Sequence, residues 1–173
     1  MREQDIYKDR KSSKMNADWD MRAQQNALYY IVTRPSPQAI SEFFEVGAQQ
    51  AYALTSDTFK ELAFDPSGKR ILDIGCGIGR LFPGFAKMFA EVLGVDVSKE
   101  MIKRGAELCV WPNVMFLQNN GYNLADIPVR YFDFVFSYIT FQHLPEKWMV
   151  SSYLTETYKV LKPSGVFQLH FPS

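Results

Sequence analysis

A glycine-rich turn constrains this chain more than any other feature. The turn, Asp73-Ile74-Gly75-Cys76-Gly77-Ile78-Gly79, stands between the apolar run 70–74 and the amphipathic stretch 80–90. Glycines let backbone N–H groups approach a ligand closely, and the N-terminus of a following helix adds positive potential. A turn of this kind can also serve packing alone, so its context must decide between a binding loop and a structural turn.

Strand-like and helix-like segments alternate from residue 70 onward. Apolar runs predict strands at 70–74, 91–97, 113–118, 132–138 and 165–171, and helix-like stretches occupy 80–90, 98–109 and 146–161. Such alternation is typical of βαβ units with parallel strands, and unbroken apolar runs fit strands covered on both faces. We therefore predict an α/β fold, a Rossmann-like doubly wound sheet of five mainly parallel strands with flanking helices.

The residues before 66 contain no strand-like run. Residues 1–15 are highly charged, which predicts a flexible tail. Residues 16–65 predict a helical lead-in, with one helix through 18–32 and a second from Pro37 to Leu54. Residues 66–173 would then form the α/β domain.

Charge and composition exclude several classes of protein. The 19 basic and 19 acidic residues cancel, so a nucleic-acid partner is unlikely. The charged N-terminus is not a secretory signal, and no apolar run approaches the length of a membrane span. The two cysteines are too few for a disulfide framework or a zinc site. We expect a cytoplasmic protein without a metal site or membrane association.

Asp96 gives the glycine-rich turn a functional context. It ends the second predicted strand, where an acid is placed to accept the ribose hydroxyls of a nucleoside bound across the strand ends. The dinucleotide fingerprint G-x-G-x-x-G needs a glycine at position 80, where this chain has Arg80. A nicotinamide-dependent oxidoreductase is therefore disfavoured.

Four segments extend the argument to a family. LDIGCGIGR, GVDVSKEMI, FDFVFS and VLKPSG follow one another within residues 70–171. Together they resemble the class I S-adenosylmethionine-dependent methyltransferases, over about 100 residues that exclude the lead-in. The resemblance implies S-adenosyl-L-methionine as the cofactor and a sheet of strand order 3-2-1-4-5.

The family sheet has seven strands, whereas the predicted strands here number five. Strands six and seven are absent, so the methyltransferase domain is expected to be C-terminally incomplete. The strand at 166–171 would then be an apolar edge, which we expect to support self-association.

The resemblance also implies a set of cofactor-binding residues. These are Asp73, Gly75, Cys76, Gly77, Gly79, Asp96, Val97, Met101, Asn119, Asn120, Gly121 and Ser137. Asp73 would lie near the methionine amino group, the glycines under the cofactor, and Asp96 at the ribose. Val97 and Met101 would contact the adenine ring, although core packing explains both equally simply. Asn120 stands where many members have an acid that accepts the adenine amine, and Ser137 would face the methionine end.

Two further residues are candidates for catalysis. His143, just beyond the fourth strand, is placed to take a proton from an oxygen or nitrogen acceptor, or to hold a structural hydrogen bond. Tyr138 is placed to orient an acceptor hydroxyl or to contact the sulfonium through its ring face. The lead-in is expected to form a lid that supplies acceptor specificity. Its candidate residues are Trp19, Arg22, Asn26, Tyr29 and Tyr30.

The resulting hypothesis is a methyltransferase that acts on an oxygen or nitrogen atom of a small-molecule acceptor. The alternative is a non-catalytic S-adenosylmethionine-binding module, or a truncated fragment of a methyltransferase.

Overall fold

A computed structural model describes residues 3–32 and 40–170 of the chain. The elements, in chain order, are α1 (Glu3–Val32), α2 (Ile40–Glu61), β1 (Arg70–Ile74), α3 (Phe82–Met88), β2 (Glu91–Asp96), α4 (Lys99–Leu108), β3 (Val114–Gln118), β4 (Phe132–Tyr138), α5 (Lys147–Val160) and β5 (Leu161–His170). A single 3-10 turn, Phe141–His143, follows β4. No helix within the described ranges has the length and apolarity needed to cross a membrane.

The five strands form one sheet of order β3-β2-β1-β4-β5, and every neighbouring pair is parallel. The predicted fold class and strand order are therefore confirmed. The chain adds strands on one side of β1 and then crosses to β4 on the other side. Because the strand order reverses there, the carboxyl ends of β1, β2 and β4 border a crevice at the topological switch point.

Both faces of the sheet are buried because successive side chains of a strand point to opposite faces. On one face, Ile71, Val92 and Phe134 pack with residues of α2 and α3. On the other, Leu72, Leu93 and Val135 pack with Tyr153 and Val160 of α5. This arrangement explains why the strands read as unbroken apolar runs rather than alternating ones.

Helix α1 begins at Glu3, so the prediction of a flexible tail over residues 1–15 is wrong for the described part of that segment. Local charge suggested fraying, but tertiary contacts hold the helix. Tyr7 donates a hydrogen bond to Glu146 over 3.1 Å, and the buried Ser12 hydroxyl donates to the main-chain carbonyl of Asn120. Packing of this kind, more than local propensity, stabilises helices in proteins.

Helix α1 bends at Asn26, whose backbone is extended rather than helical (φ −168°, ψ 89°). The Asn26 side chain accepts a hydrogen bond from the backbone N–H of Tyr29 over 3.1 Å. This is the geometry of a helix N-cap, so Asn26 restarts the helix in a new direction. The bend brings the last turn of α1, with Tyr30 and Ile31, toward the carboxyl ends of the strands.

Helix α2 continues to Glu61, beyond its predicted end at Leu54, while its predicted start at Pro37 lies outside the described residues. One face of the additional turns packs on the core, because Thr55 is buried and Phe59 packs against Phe64 and Phe134. Tertiary packing thus extends the helix past the point where the sequence pattern weakens.

Strand β5 begins at Leu161, before its predicted start at residue 165. The register shifts between Phe132, opposite Leu161, and Phe134, opposite Val166, so the intervening residues of β5 bulge out. Ser164 takes a left-handed backbone (φ 64°) in this bulge, and Lys162 pairs with Asp133 over 2.8 Å. Among the described strands, β5 pairs with β4 alone and forms one edge of the sheet.

Candidate active site

A cavity lies at the carboxyl ends of β1, β2 and β4 and is covered by α1. Of the residues predicted for the site, it is lined by Asp73, Gly75, Cys76, Gly77, Asp96, Val97, Met101, Gly121, Tyr138 and His143. Gly79, Asn119, Asn120 and Ser137 are not part of the lining. The first ten thus line one cavity and the last four do not, and which of them contact a cofactor stays a prediction.

Asp96, at the end of β2, is held rigidly at the cavity wall. One carboxylate oxygen accepts from the N–H of Gly77 and the other from the N–H of Ser98, each over 2.9 Å. A carboxylate offers about four lone-pair sites, so both oxygens keep capacity for a further donor. The geometry suits acceptance of two ribose hydroxyls without rearrangement of the side chain.

Asp73, at the penultimate position of β1, is 4% exposed and lines the cavity. Burial, together with the negative charge of Asp96, raises its pKa to about 8, although the nearby Arg80 opposes the shift. A carboxyl group in this state is ready to ionise when a cation enters. An ammonium group, such as the amino group of a bound methionine moiety, is a cation of that kind.

Two glycines of the glycine-rich turn have different roles: Gly77 lines the cavity, and Gly79 allows close packing of aromatic rings. Gly77 has a left-handed backbone (φ 56°), and a Cβ there would approach the Ile31 side chain to 3.2 Å across the cavity. Gly79 (φ 76°) lies outside the cavity, where a Cβ would come within 2.6 Å of the Phe116 ring. The expectation that Gly79 runs under the cofactor is therefore corrected: its lack of a side chain leaves room for the rings of Phe82 and Phe116.

Cys76 contributes to the lining but its thiol belongs to the core. Burial, together with the charge of Asp96, raises the pKa of this thiol well above its usual value. Its sulfur packs beside Gly94 of β2, where a Cβ would lie 2.6 Å away. The side chain is thus an inert packing group, and Cys109 is likewise a free, buried thiol.

The core packing of Val97 and Met101 is observed, whereas their contact with an adenine ring stays a prediction. Each lines the cavity, and each also packs in a hydrophobic cluster. Val97 packs with Met15 of α1, and Met101, 1% exposed, packs with Ala23 of the same helix. The apolar wall is therefore shared between the α/β domain and α1.

The loop after β3 does not present its asparagine side chains to the cavity. The amide oxygen of Asn120 accepts from the N–H groups of Tyr122 and Asn123, and Asn119 donates to the Tyr153 hydroxyl over 2.8 Å. The expected adenine contact of Asn120 is corrected on this ground, because its acceptor is committed to an Asx turn. Gly121 is the buried residue of this loop that lines the cavity.

Ser137 is fully buried, and its hydroxyl donates to the carbonyl of Ile74 over 2.8 Å. The expectation that this side chain faces the methionine end is corrected: it ties β4 to β1 below the cavity. Two residues later, Ile139 has a left-handed backbone (φ 59°) and lines the cavity. A β-branched residue in that conformation is strained, and such strain clusters at functional sites.

His143 stands at the cavity rim in the 3-10 turn after β4. Its ring meets the Trp19 ring edge-on, with centroids 5.4 Å apart. Partial desolvation, together with the positive charge of Arg22, lowers the pKa of His143 below 6.5. The imidazole is therefore mainly neutral at pH 7, which is the form that can accept a proton.

Tyr138 and Arg80 meet through a residue of the lead-in that the sequence did not single out. Gln50 of α2 donates from its amide nitrogen to the Tyr138 hydroxyl over 3.1 Å, and its amide oxygen accepts from Arg80. The Tyr138 ring also packs against His170, with centroids 4.7 Å apart. Both Tyr138 and Arg80 line the cavity, so this network forms one of its walls.

The lead-in contributes more of the cavity than its sequence suggested. Among the five lid candidates, Trp19 and Tyr30 line the cavity, whereas Arg22 lies over the Trp19 ring at 4.7 Å and Tyr29 is 42% exposed. Met15 and Ile31, which the sequence did not single out, complete the α1 wall.

Two polar residues, also not anticipated from the sequence, attach α1 to the domain. Asn16 donates to the carbonyl of Val97 over 2.6 Å. Asp20 accepts from the Ser98 hydroxyl over 2.6 Å and from the N–H of Glu100 over 3.0 Å, at the N-terminus of α4. Nothing in local periodicity marks such long-range contacts.

The donor set fits S-adenosylmethionine, which the sequence motifs implied. Asp96 has free acceptor capacity for ribose hydroxyls, Val97 and Met101 offer an apolar surface, and Asp73 faces the same cavity as a counter-ion. The cofactor carries a sulfonium, an ammonium and a carboxylate. These three groups leave the cofactor with a net positive charge. The cavity has a net negative charge when Asp73 and Asp96 are both ionised, because Arg80 balances only one of them.

The parallel sheet of this order and the acid-lined cavity at its switch point define a Rossmann-like, nucleoside-binding class of protein. The model of the methyltransferase domain family matches residues 72–169, more than half of the chain. The chain therefore belongs to the class I S-adenosylmethionine-dependent methyltransferase family.

Individual relatives agree with that assignment. The chain is 30% identical over 131 residues to a probable methyltransferase, ltbC, of Aspergillus luteorubrus, covering 70% of this chain and 46% of that protein. It is 36% identical over 101 residues to the ubiquinone biosynthesis O-methyltransferase of Proteus mirabilis, covering 57% and 40%. The chain thus spans less than half the length of these curated relatives.

Solved structures show the same fold. The YcgJ protein of Bacillus subtilis is 28% identical, with a TM-score of 0.57 over 68% of this chain and 50% of that one. The phosphoethanolamine N-methyltransferase 1 of Haemonchus contortus, solved with phosphoethanolamine and S-adenosylhomocysteine, reaches a TM-score of 0.70 at 19% identity. That match covers 92% of this chain and 32% of the other.

Proposed function

We propose that this chain transfers the methyl group of S-adenosylmethionine to an oxygen or nitrogen atom of a small-molecule acceptor. The observation that supports the proposal is one cavity lined both by the cofactor acids, Asp73 and Asp96, and by the polar groups of His143 and Tyr138. The names of similar proteins include an O-methyltransferase and an N-methyltransferase, which is consistent with either acceptor atom.

When bound, the cofactor supplies an activated methyl group on a positively charged sulfur. The protein then has to orient the acceptor, exclude water and accept a proton. Asp96 would hold the ribose hydroxyls and Asp73 the methionine ammonium, and the buried wall of Met101 and Val97 would keep water from one side. Orientation and water exclusion are the main contributions asked of these side chains.

His143 is the base we propose for the acceptor proton. It is at the cavity rim, its pKa lies below 6.5, and Trp19 packs against its ring. The amide nitrogen of Gln142 donates to the ring nitrogen Nε2 over 3.1 Å, so the Gln142 side chain has to turn away when Nε2 takes a proton from the acceptor. A neutral imidazole in this place can take the proton of an acceptor O–H or N–H.

Tyr138 is the second group we propose to contact the acceptor. Because its oxygen accepts from Gln50, its own hydroxyl proton remains available to donate into the cavity. Donation to an acceptor oxygen would fix the direction of that oxygen's lone pair.

We propose that helix α1 is the lid of the site. On this proposal the lead-in, residues 16–65, covers the cofactor cavity of the methyltransferase domain, residues 66–173. Helix α1 provides four cavity-lining side chains and is attached through Asn16 and Asp20. We propose the cytoplasm as the setting, because both cysteines are free and buried.

The test is a methyl-transfer assay with labelled cofactor over a panel of small hydroxyl- and amine-bearing acceptors. His143→Ala should lower turnover by about 10²-fold or more and remove the acid limb of the pH profile. Tyr158→Ala, which removes an exposed ring outside the cavity, is the control and should leave turnover unchanged. Cofactor binding without turnover on any acceptor would contradict the proposal and favour a non-catalytic binding module.

A further inference from the structure

Arg80 carries a buried guanidinium that makes no salt bridge among the described residues, although its charge and that of the Asp73 carboxyl act on each other. The residue is 7% exposed, and within residues 3–32 and 40–170 no carboxylate lies within 4.0 Å of it. Its Nε is buried without any hydrogen-bond partner in that part of the chain. Buried charges are normally paired, because an isolated one is expensive to desolvate.

Arg80 is nevertheless held in a defined place. Its Nη1 donates to the amide oxygen of Gln50, and its side-chain stem passes under Gly47 of α2, where a Cβ would come within 2.8 Å of the Arg80 Cγ. Arg80 and Tyr138 both line the cavity, and Gln50 contacts the guanidinium of the first and the hydroxyl of the second. The guanidinium is thus fixed on one side and open to the cavity on the other.

The surrounding charges indicate what Arg80 can bind. Asp73 and Asp96 line the same cavity, and both have their pKa raised, in each case mainly by burial. Asp96 is suited to the ribose of the cofactor and Asp73 to its ammonium group. When the cofactor engages both acids, neither is free to pair with the Arg80 guanidinium. Arginine presents a planar fork of donors that matches a carboxylate in a bidentate manner.

We propose that Arg80 binds a carboxylate group inside the cavity. The carboxylate has two chemically equivalent sources, the methionine end of the cofactor or an acidic acceptor molecule. The second source rests on the proposed function and makes Arg80 a determinant of acceptor specificity; the first does not depend on it.

The first measurement compares the stability of the free protein. Arg80→Met keeps the length of the stem but removes the charge, so its melting temperature should equal or exceed that of the wild type. Arg80→Lys keeps the charge without the fork. Arg104→Met, which removes a half-buried arginine paired with Glu100 outside the cavity, is the control.

The second measurement uses calorimetry with two ligands on each variant. S-adenosylhomocysteine carries the carboxylate, and S-adenosyl-3-thiopropylamine keeps the amine but lacks the carboxylate. If the cofactor is the source, wild type should prefer S-adenosylhomocysteine by at least about tenfold, and Arg80→Met and Arg80→Lys should lose most of that preference. The ratio is taken within each variant, so partial unfolding does not imitate the effect.

The third measurement addresses the acceptor. Benzoate and its neutral analogue benzamide are added to protein saturated with S-adenosylhomocysteine, and thermal stabilisation is recorded. If the acceptor is the source, benzoate should stabilise wild type and Arg104→Met but not Arg80→Met, and benzamide should not distinguish them. Methyl transfer is measured separately. A protein that shows either carboxylate effect but transfers no methyl group would contradict the proposed function and would leave the carboxylate site supported.

Loss of the ligand preference in Arg80→Met supports the cofactor as the source, and loss of the benzoate effect supports the acceptor. Unchanged values in both measurements overturn the proposal. A melting temperature that falls in Arg80→Met, with both ligand responses intact, assigns Arg80 a structural role instead.

Discussion

At the scale of single residues, the cavity concentrates charge in an unusual state. Asp73 has a pKa of about 8, so in the free protein its carboxyl group is mostly protonated at pH 7. An entering ammonium group favours the ionised form. Binding of the cofactor and loss of a proton are therefore coupled at this residue.

This coupling predicts proton release on ligand binding. Titration of S-adenosylhomocysteine at pH 7 in buffers of different ionisation enthalpy should show release of nearly one proton from wild type, following from the pKa of about 8. Asp73→Asn should remove that release and weaken binding. Equal proton release in wild type and Asp73→Asn would show that another group is titrated.

The same residue predicts a dependence of stability on pH. Because the folded state raises the pKa of Asp73 above its ordinary 3.8, the free protein binds this proton more tightly when folded. Its contribution to the free energy of unfolding is complete below pH 4 and is lost as the pH rises toward 8.

Asp73→Asn should flatten this dependence in denaturant titrations of the free protein. At pH 8 its free energy of unfolding should exceed that of wild type by about 1 kcal/mol or more. Asp126→Asn, an exposed acid outside the cavity, is the control and should leave the dependence unchanged. A parallel slope in Asp73→Asn and wild type would contradict the assigned pKa.

The positions of site residues could be predicted from the strand pattern of the backbone. The hydrogen-bond partners of their side chains could not, because these depend on groups distant in the sequence. Asp73 and Asp96 follow from strand ends and lie at the cavity. Asn120 and Ser137 occupy the expected positions, yet their side chains bind backbone groups. Arg80 entered the sequence argument only to exclude a dinucleotide site, because its burial depends on α2, a distant element.

At the scale of elements, α1 is the feature that the sequence described least well. Its charged first half predicted a frayed segment, but residues 7, 12, 16 and 20 each bind a group more than 70 residues away. The positions and bounds of α4 and α5 were predictable, because helix caps and hydrophobic periodicity are local signals in the sequence. Serine favours the N-cap position, and the side chain of Ser98 caps α4 by accepting a hydrogen bond from the N–H of Met101.

The attachment of α1 predicts an effect on ligand release. Asp20→Ala removes two hydrogen bonds to the start of α4, so the lid should open more easily. We expect S-adenosylhomocysteine to dissociate several-fold faster in stopped-flow experiments, at a similar association rate. Asp18→Ala, an exposed acid on the same helix, is the control and should leave both rates unchanged. Identical dissociation from Asp20→Ala and wild type would exclude α1 as a lid.

At the scale of the whole molecule, the sheet order and parallel pairing were predictable from the order of the motifs. The uncovered edge at β5 was expected as well, and among the described residues that strand pairs with β4 alone. Residue 171, the end of the predicted edge segment, lies outside the described residues. Unpaired strand edges recruit further strands.

We propose that this edge supports self-association. Sedimentation velocity should show a fraction of dimer that increases with protein concentration. Leu169→Lys on β5 should shift the equilibrium toward monomer. Leu154→Lys, on an exposed part of α5, is the control for added charge. A wild type that stays monomeric at every concentration would contradict self-association through β5.

The central claim is that the cofactor lies across the strand ends with its ribose on Asp96. Calorimetry with S-adenosylhomocysteine on wild type, Asp96→Ala and the control Asp126→Asn tests it most directly. Loss of hydrogen bonds to a charged group costs about 1.5–3 kcal/mol, so Asp96→Ala should bind roughly 10- to 150-fold more weakly, and the control should bind as wild type does. Equal affinity in Asp96→Ala and wild type would contradict the placement of the cofactor.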